Sequence, residues 1–306
     1  MIDVVGKRYW FFLISAVVII PGIISLVIFG LEPGVDFSSG TTMTFRFGAE
    51  VEQGRLRQEV ADLGYDEAMI QRTGDGDSFI RVREISTEEK QTLVTGLESA
   101  LATEVTVLDS YTVSPIIATE TGRNAAIAVI VAAVAMLFYI AWAFRRMPKP
   151  LRWGTCAIIA LVHDVLVVMG IFSILGWVAG IQIDAMFITG MLTVVGYSVN
   201  NTVVVFDRIR ENVSKGISKD FEVTVNSSIL ETIARSLNTS LTTLFVILAI
   251  FLFGGVTIRY FSLVLLIGVI SGTYSSMCLA GPLLIIWDKG EWGRFFSWLP
   301  FVKKLA

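Results

Sequence analysis

The chain has 306 residues, of which 54% are hydrophobic and 17% are charged, and its mean hydropathy is +0.70. Soluble domains average roughly 25% charged residues. This composition therefore excludes a disordered chain and indicates a multi-spanning membrane protein with one sizeable water-exposed portion. Two cysteines exclude a disulfide scaffold, and a single histidine argues against a structural zinc site. We expect no metal and no cofactor.

Six segments are long and apolar enough to cross a bilayer core, which takes about 20 residues of helix. They cover residues 9–30, 124–144, 153–177, 184–206, 235–254 and 260–287. Pro282 in the last segment predicts a kink or an exit from the membrane near Gly281. The first segment is too long for a signal-peptide core and lacks a cleavage pattern before Glu32, so we expect it to remain as an anchor.

Lysine and arginine predict the orientation of these spans, because they concentrate in cytoplasmic loops. They cluster before the first span, between spans two and three, between spans four and five, and in the tail. Both termini are therefore predicted to be cytoplasmic. The amphipathic segment 207–234 is predicted to be cytoplasmic, and residues 214–233 within it are interpreted as a pair of surface helices. The aromatic and basic tail 288–306 is interpreted as a segment on the lipid of the inner leaflet.

The segment 31–122 must then lie outside the cytoplasm, between the anchor 1–30 and the five-helix bundle 123–287. It carries seven Lys and Arg against seventeen Asp and Glu, a net of −10, which argues against nucleic acid as a partner. Its pattern predicts strand 41–47, helix 51–63, strands 68–72 and 78–83 around a turn at 74–77, a helix from a capping box at 86–89 to Leu101, and strand 104–113. The predicted fold is six transmembrane helices plus an extracytoplasmic ferredoxin-like β-α-β-β-α-β domain.

Ionisable side chains within spans are functional candidates, because burying a charge in lipid is costly. His163 and Asp164 lie in the middle of the third span, where a helix–helix hydrogen bond is the structural alternative. Asp184 opens the fourth span, where it is equally consistent with an acid favoured by the helix dipole. Asp207 and Arg208 close that span, and the simplest interpretation is an interfacial pair that ends the helix.

The fourth span also places Asn200 and Asn201 next to each other, which is expensive in lipid without partners. Arg235 begins the fifth span, and small and hydroxyl-bearing residues are frequent in the fifth and sixth. Close helix packing explains much of this pattern, but polar faces at similar depth equally favour a hydrated path. We expect Asn201 and Arg235 to face inward along it.

The residues themselves resemble the SecF family of bacterial protein-export subunits. The most specific match is the run from Val195 to Asn212, which reads Gly-Tyr-Ser-Val-Asn-Asn-Thr-Val-Val-Val-Phe-Asp-Arg-Ile-Arg-Glu-Asn after the valine. Further matches lie at residues 34–37, 113–117, 163–165, 240–243, 253–255 and 267–276. The resemblance covers nearly the whole chain.

This resemblance implies a subunit of the Sec translocase in the bacterial cytoplasmic membrane. It would act with SecD on the SecYEG channel, with YajC as a further candidate partner, and would use the proton or sodium motive force to move unfolded preproteins. The chain resembles the separate-subunit form of the family and not the fused form. No ATP site belongs to such a subunit, and no Gly-x-x-x-x-Gly-Lys loop is present.

The chain departs from the family pattern at two positions. Asn201 stands where the family has an aspartate that is a candidate for proton relay, and an amide cannot carry a proton. If the relay uses other carboxylates, the candidates are Asp164 and after it Asp184 in this chain, with Arg235 as a charged neighbour, or the membrane acids of SecD. The alternatives are an inactivating substitution at Asn201 or a site that coordinates through amide oxygens. In the linker motif Ser39 replaces a glycine, which leaves Asp36, Phe37 and Gly40 as the matched residues.

Two functions compete on these observations. The main hypothesis is a subunit that couples an ion gradient to translocation. The alternative is an assembly scaffold for SecD and SecYEG that carries no proton, because Asn201 replaces the aspartate. An enzyme is not expected, since Ser198 would have only His163 as a base and lacks the glycine that should follow it. An efflux transporter would not explain the run from Val195 to Asn212.

Overall fold

The computed structural model describes residues 3–72 and 76–291. It divides into two compact units. The transmembrane unit comprises Met1–Glu32, Ala128–Ile181 and Met186–Ala306, and the sheet unit comprises Pro33–Ile127 and Gln182–Ala185. Each unit is described separately below.

In chain order the elements are α1 (Arg8–Ile28), α2 (Val35–Ser38), β1 (Gly40–Phe47), α3 (Gln53–Asp62), β2 (Met69–Arg72), β3 (Ser78–Val82), α4 (Thr87–Leu101), β4 (Val105–Val113), α5 (Pro115–Ala143), α6 (Pro150–Ala179), α7 (Ala185–Lys215), α8 (Phe221–Phe253), α9 (Val256–Ser275) and α10 (Gly281–Lys289). Six helical segments of the described chain are long and apolar enough to span a membrane, which confirms the predicted number of spans.

The sheet unit has the predicted order of elements. Its four antiparallel strands are arranged β2-β3-β1-β4, and with α3 and α4 they form the ferredoxin-like β-α-β-β-α-β plan. The alternating side chains of β1 place Met43 and Phe45 in a core with Ile80 and Leu97. The capping box is confirmed, because Ser86 Oγ accepts from the Glu89 amide and the Glu89 carboxylate accepts from the Ser86 amide. Residues 74 and 75 of the predicted turn at 74–77 lie outside the described residues.

Residues 214–233 do not form a separate pair of surface helices, and this prediction was wrong. Instead α7 continues to Lys215, and α8 already begins at Phe221. The helix continues past the apolar run because its charges are paired three or four residues apart, as in Arg208–Glu211 and Lys215–Glu211. Asn212 Nδ2 also donates to Ser228 Oγ at 2.9 Å, which ties the two extensions together.

The sixth span is interrupted where its sequence is irregular. A π-helical turn, Ser276–Ala280, separates α9 from α10, and Pro282 lies in the first turn of α10. Proline has no N–H to donate to the preceding turn, so a local change of hydrogen bonding is expected there. The predicted interfacial tail lies outside the described residues beyond Glu291.

A charged cluster joins the start of α1 to α8 and to the end of α10. Arg8 donates to Glu222 at 2.6 Å and to Glu291 at 2.8 Å, and Lys289 also bonds Glu222. The Arg8 guanidinium holds the pKa of the Glu291 carboxyl below its usual range. Three elements that are distant in sequence are thereby held at one end of the transmembrane unit.

Helices α1 and α6 run parallel and touch at positions that keep a constant separation in sequence. Gly22 and Gly170 are in backbone contact, because a Cβ added at Gly170 would lie 2.6 Å from the Gly22 Cα. One turn further on, Ser25 and Ser173 share a hydrogen bond of 2.8 Å, and the Phe29 and Trp177 rings stack beyond them. The glycine pair therefore sets how closely the two helices approach.

Candidate functional site

The transmembrane unit encloses one carboxylate whose oxygens are fully occupied by hydrogen bonds. The Asp164 side chain is 0% exposed. Its Oδ2 accepts from Ser198 at 2.6 Å and from Ser275 at 2.7 Å. Its Oδ1 accepts from Ser271 at 2.6 Å and lies 2.9 Å from His163 Nδ1. Burying a carboxylate is costly unless its lone pairs are satisfied, and here three helices supply the partners.

The helices bring these donors together through their periodicity and their small residues. Ser271 and Ser275 are four residues apart, so they lie on one face of α9. Gly272 lies between them, and a Cβ added there would lie 3.1 Å from the Ser198 Cβ. Further along the same face, a Cβ added at Gly268 would lie only 2.1 Å from Val194. The glycines of α9 therefore let α7 approach closely enough for Ser198 to reach Asp164.

His163 connects this carboxylate to α1 and α9. Its Nε2 lies 3.0 Å from Ser15 Oγ, and Ser15 in turn lies 3.5 Å from the Tyr274 hydroxyl. The Tyr274 hydroxyl donates to the Phe11 carbonyl at 2.6 Å. A continuous chain of polar atoms thus runs from Asp164 through the imidazole to a backbone carbonyl of α1.

A cavity of about 360 Å³ lies beside the imidazole. Its walls are mostly apolar, with Ile14 and Val18 from α1, Val167 from α6 and Ile270 from α9. His163 is on this wall and is 8% exposed, whereas Asp164 lies behind it. The imidazole is therefore the member of the pair that is open to the cavity.

A second polar chain crosses the unit between α7, α8 and α9. Tyr197 donates to Ser240 Oγ at 3.0 Å, and Ser240 shares a bond of 2.6 Å with Thr273. The polar faces predicted on these three helices therefore meet one another. Hydroxyl-to-hydroxyl bonds of this kind satisfy polar groups inside a helical bundle and bind the helices together.

Asn201 and Arg235 do not share an inward-facing seam, and this prediction was half wrong. Asn201 is buried, at 3% exposure, and its Nδ2 has no hydrogen-bond partner in the described part of the chain. Arg235 is exposed. The buried face of α8 carries Thr232, Ser236 and Ser240, which are spaced four residues apart. Arg235 directly precedes Ser236 and therefore points about 100° away from that face.

The remaining candidates on α7 are at its surface. Asn200 is exposed, although its neighbour Asn201 is buried. Asp207 and Arg208 do not end the helix and bind other residues, which corrects the predicted helix-end pair. Asp207 pairs with Arg210, and Arg208 bonds both Glu211 and Glu231.

Asp184 and the linker motif belong to the sheet unit. Asp36 Oδ2 accepts from the Ala185 amide at 2.8 Å, so it caps the first residue of α7 from a distant part of the sequence. Asp184 and Phe37 are half-buried. Gly40 has φ +125, and a Cβ there would lie 2.6 Å from the Val82 carbonyl oxygen, so this position requires glycine.

Sequence reasoning found His163 and Asp164 but missed Ser15 and Tyr274 as their neighbours. A usable signal existed on α1, whose buried residues Arg8, Ser15 and Gly22 repeat every seven positions. A stripe of small and polar residues in an otherwise apolar span marks the face that packs on protein. That signal identifies the face of α1 but not the helix it meets.

The site combines an imidazole, a carboxylate and serine hydroxyls, which are groups able to form hydrogen bonds. Among residues 3–72 and 76–291, no group of three or more His, Cys, Asp or Glu side chains is placed to hold a metal ion. The hydroxyls of Ser198, Ser271 and Ser275 all donate to Asp164. These features define a polytopic membrane protein with a ferredoxin-like domain and a buried histidine–carboxylate pair.

Family models match this chain over most of its length. Residues 94–290 match the protein export membrane protein SecD/SecF C-terminal model, and residues 24–51 match the SecD/SecF GG motif. The SecF protein translocase subunit of Thermobaculum terrenum is 44% identical, and that of Anaerolinea thermophila is 43% identical, each over 97% of both chains. The chain therefore belongs to the SecD/SecF family, and its role is in protein translocation.

A solved structure shows the same fold. The crystal structure of SecDF, a translocon-associated membrane protein from Thermus thermophilus, matches with a TM-score of 0.84 at 32% identity. The match covers 94% of this chain but 39% of the SecDF chain. The chain thus corresponds to about two-fifths of that longer protein, and it is a multi-pass protein of the bacterial cytoplasmic membrane.

Proposed function

We propose that this protein couples the proton motive force to preprotein translocation, and that the proton is bound by the His163–Asp164 pair. The observation that carries the proposal is the fully buried Asp164 with its four hydrogen-bond partners. Ionisable pairs inside a membrane bundle are typical of proton pathways. The pair also takes over the role that Asn201 cannot perform, since an amide does not titrate.

Coupling follows from the helices that the pair connects. Adding or removing one proton changes the charge at a point where α1, α6, α7 and α9 all supply partners. A charge change in a water-poor interior alters the strength of every hydrogen bond to it. Protonation therefore favours one packing of these helices over another, which is how a ligand shifts a two-state equilibrium.

The orientation supports this proposal. The basic residues predict cytoplasmic termini, and they predict that residues 31–122 lie outside the cytoplasm. The unfolded preprotein would be handled there, and movement of the sheet unit would follow the packing of the transmembrane helices. SecYEG would supply the channel, and YajC is a further candidate partner.

SecD is the partner proposed for the exposed polar side chains of the transmembrane unit. Asn200 on α7 and Arg235 on α8 are both exposed in the single chain. Polar groups that face hydrocarbon are costly, so a protein surface is the more favourable neighbour. The fusion of both subunits in SecDF relatives such as that of Bacillus subtilis supports a partner of this kind.

Export of a reporter preprotein by vesicles containing SecYEG, SecD and this chain tests the proposal. Asp164→Asn is expected to abolish the proton-dependent part of export, because the buried pair loses its only carboxylate. Asp184→Asn removes the same charge from the sheet unit and is expected to leave export unchanged. Normal proton-driven export by Asp164→Asn would overturn the proposal.

The variant Asn201→Asp distinguishes the scaffold alternative from ion coupling. If the buried Asn201 blocks a second relay position, the aspartate should raise proton-dependent conductance and export. If the chain only holds SecD and SecYEG together, this variant and Asp164→Asn should both export normally. Co-purification of SecD with each variant controls for assembly.

A further inference from the structure

We propose that the imidazole of His163 carries the proton of the buried pair, while Asp164 remains ionised as its fixed counter-charge. This inference rests on the proposed function and specifies its titrating group. It is carried by the direction of the hydrogen bonds around the two side chains.

The hydrogen bonds around Asp164 favour its ionised form. A carboxylate offers about four acceptor positions, and here three serine hydroxyls and the imidazole Nδ1 lie within 2.9 Å of the two oxygens. A carboxylic acid in this arrangement could donate its O–H only to His163 Nδ1, so the two groups compete for one shared proton. Hydrogen bonds donated to a carboxylate favour its ionised form, and three serines donate here, so the proton belongs on Nδ1 of the imidazole.

The other imidazole nitrogen, Nε2, is next to Ser15, whose hydroxyl can either donate or accept a hydrogen bond. In the neutral state Ser15 donates its hydroxyl hydrogen to Nε2 across 3.0 Å. When a proton from water adds to the Nε2 lone pair, Nε2–H donates to Ser15 Oγ, and the serine hydrogen turns to the Tyr274 oxygen. Tyr274 already donates to the Phe11 carbonyl, so every donor in the charged chain has an acceptor.

The charge balance favours the uptake of one proton by the pair. The pair has a net charge of −1 when the imidazole is neutral and zero when it is protonated. Among the described residues that bond or stack against His163, Asp164 and Tyr274 are the titratable ones; Ser15 from α1 and the serines around Asp164 carry no charge. A protonated imidazole 2.9 Å from a carboxylate forms a neutral pair, the less costly form inside a bundle.

The chain contains a single histidine, which makes the protonation state directly measurable. The full chain is labelled with ¹⁵N-histidine, purified on a histidine-free tag and placed in lipid vesicles with unlabelled SecD. The ¹⁵N spectrum is followed between about pH 5 and 8, the range in which imidazole titrates. We expect the resonance of the unprotonated nitrogen to be lost as the pH falls, with no new carboxylic acid band in the infrared difference spectrum.

Two variants with a matched control test the hydrogen-bond chain. Ser15→Ala removes the acceptor for Nε2–H, so the unprotonated-nitrogen resonance should persist to lower pH than in the parent chain. Asp164→Asn removes the counter-charge, so that resonance should persist across the whole range. Ser25→Ala deletes a serine hydroxyl from the same α1–α6 interface, bonded instead to Ser173, and should leave the titration unchanged.

The outcomes separate this inference from the proposed function. An imidazole that stays neutral, together with a carboxylic acid band that Asp164→Asn removes, would overturn the inference and leave proton coupling on Asp164. An identical shift in Ser15→Ala and Ser25→Ala would also overturn it. If the imidazole titrates as expected but Asp164→Asn exports normally, the inference holds and the coupling proposal fails.

Discussion

Asn201 and its neighbour Asn200 have the same side chain, yet only Asn201 is buried. Successive residues of a helix point about 100° apart, so adjacent positions in a span face different surroundings. The same phase difference separates the exposed Arg235 from the buried Ser236. The residue type identifies a candidate for function, but the side of the helix on which the residue lies decides which surroundings its side chain contacts.

Ser39 shows the same dependence on position. It has φ +62 and ψ 171, a backbone conformation that side chains rarely adopt, and it stands where the family pattern has glycine. Ser39→Gly is expected to stabilise the sheet unit by about 1 kcal/mol, because glycine relieves this strain. Hydrogen exchange of the β1 amides in the full chain measures the change.

The same substitution at Ser99 provides the control. Ser99 lies in the helical backbone of α4, where glycine lowers stability. Opposite signs are therefore expected for the two variants. A loss of protection in Ser39→Gly would show that the linker turn does not have this conformation in the protein.

At the scale of elements, the approach of α1 to α6 determines whether Ser15 can reach His163. The two helices meet at Gly22 and Gly170, one heptad beyond Ser15 and His163 respectively. The crossing leaves no room for a side chain. A change at the glycine pair should therefore act on the buried site from a distance along the helix.

Gly170→Ala is expected to destabilise the transmembrane unit by about 1–3 kcal/mol, because its Cβ would lie 2.6 Å from the Gly22 Cα. Thermal unfolding of the purified full chain in detergent measures this. Gly196→Ala is the matched control, since a Cβ there meets nothing within 4 Å and alanine favours helix. Equal melting temperatures for the two variants would contradict a close helix crossing.

At the scale of the whole molecule, the distribution of charge predicts which aqueous compartment each polar segment faces. The acidic segment and the basic loops predict opposite sides. Arg57 is an exposed residue of α3 in the sheet unit, and Arg146 is an exposed residue between α5 and α6. The native thiol of Cys156 is buried, and that of Cys278 is largely so.

A membrane-impermeant thiol reagent added to intact spheroplasts should therefore label Arg57→Cys and not Arg146→Cys. The physical reason is that a polar domain and a basic loop of the predicted orientation lie in different aqueous compartments. Labelling of both variants after the membrane is permeabilised controls for accessibility. The reverse pattern in intact cells would invert the predicted topology and remove the sheet unit from the export side.

Much of the architecture followed from local sequence pattern. Six apolar segments, the alternation of β1 and the Ser86–Glu89 capping box each predicted an element that the structure contains. These features depend on residues close together in the chain, so periodicity reveals them. The pattern was wrong for residues 214–233, because paired charges allowed α7 and α8 to continue beyond the apolar runs.

The sequence by itself determined the spans, the sheet domain, the family and the presence of His163 and Asp164 within a span. Only the tertiary structure decided that Ser271 and Ser275, more than one hundred residues away in the chain, donate to Asp164 while Arg235 does not. Helical periodicity defines the faces of each helix, but which faces meet depends on the packing of all the helices together. The partners of a buried charge are therefore a property of the packed bundle.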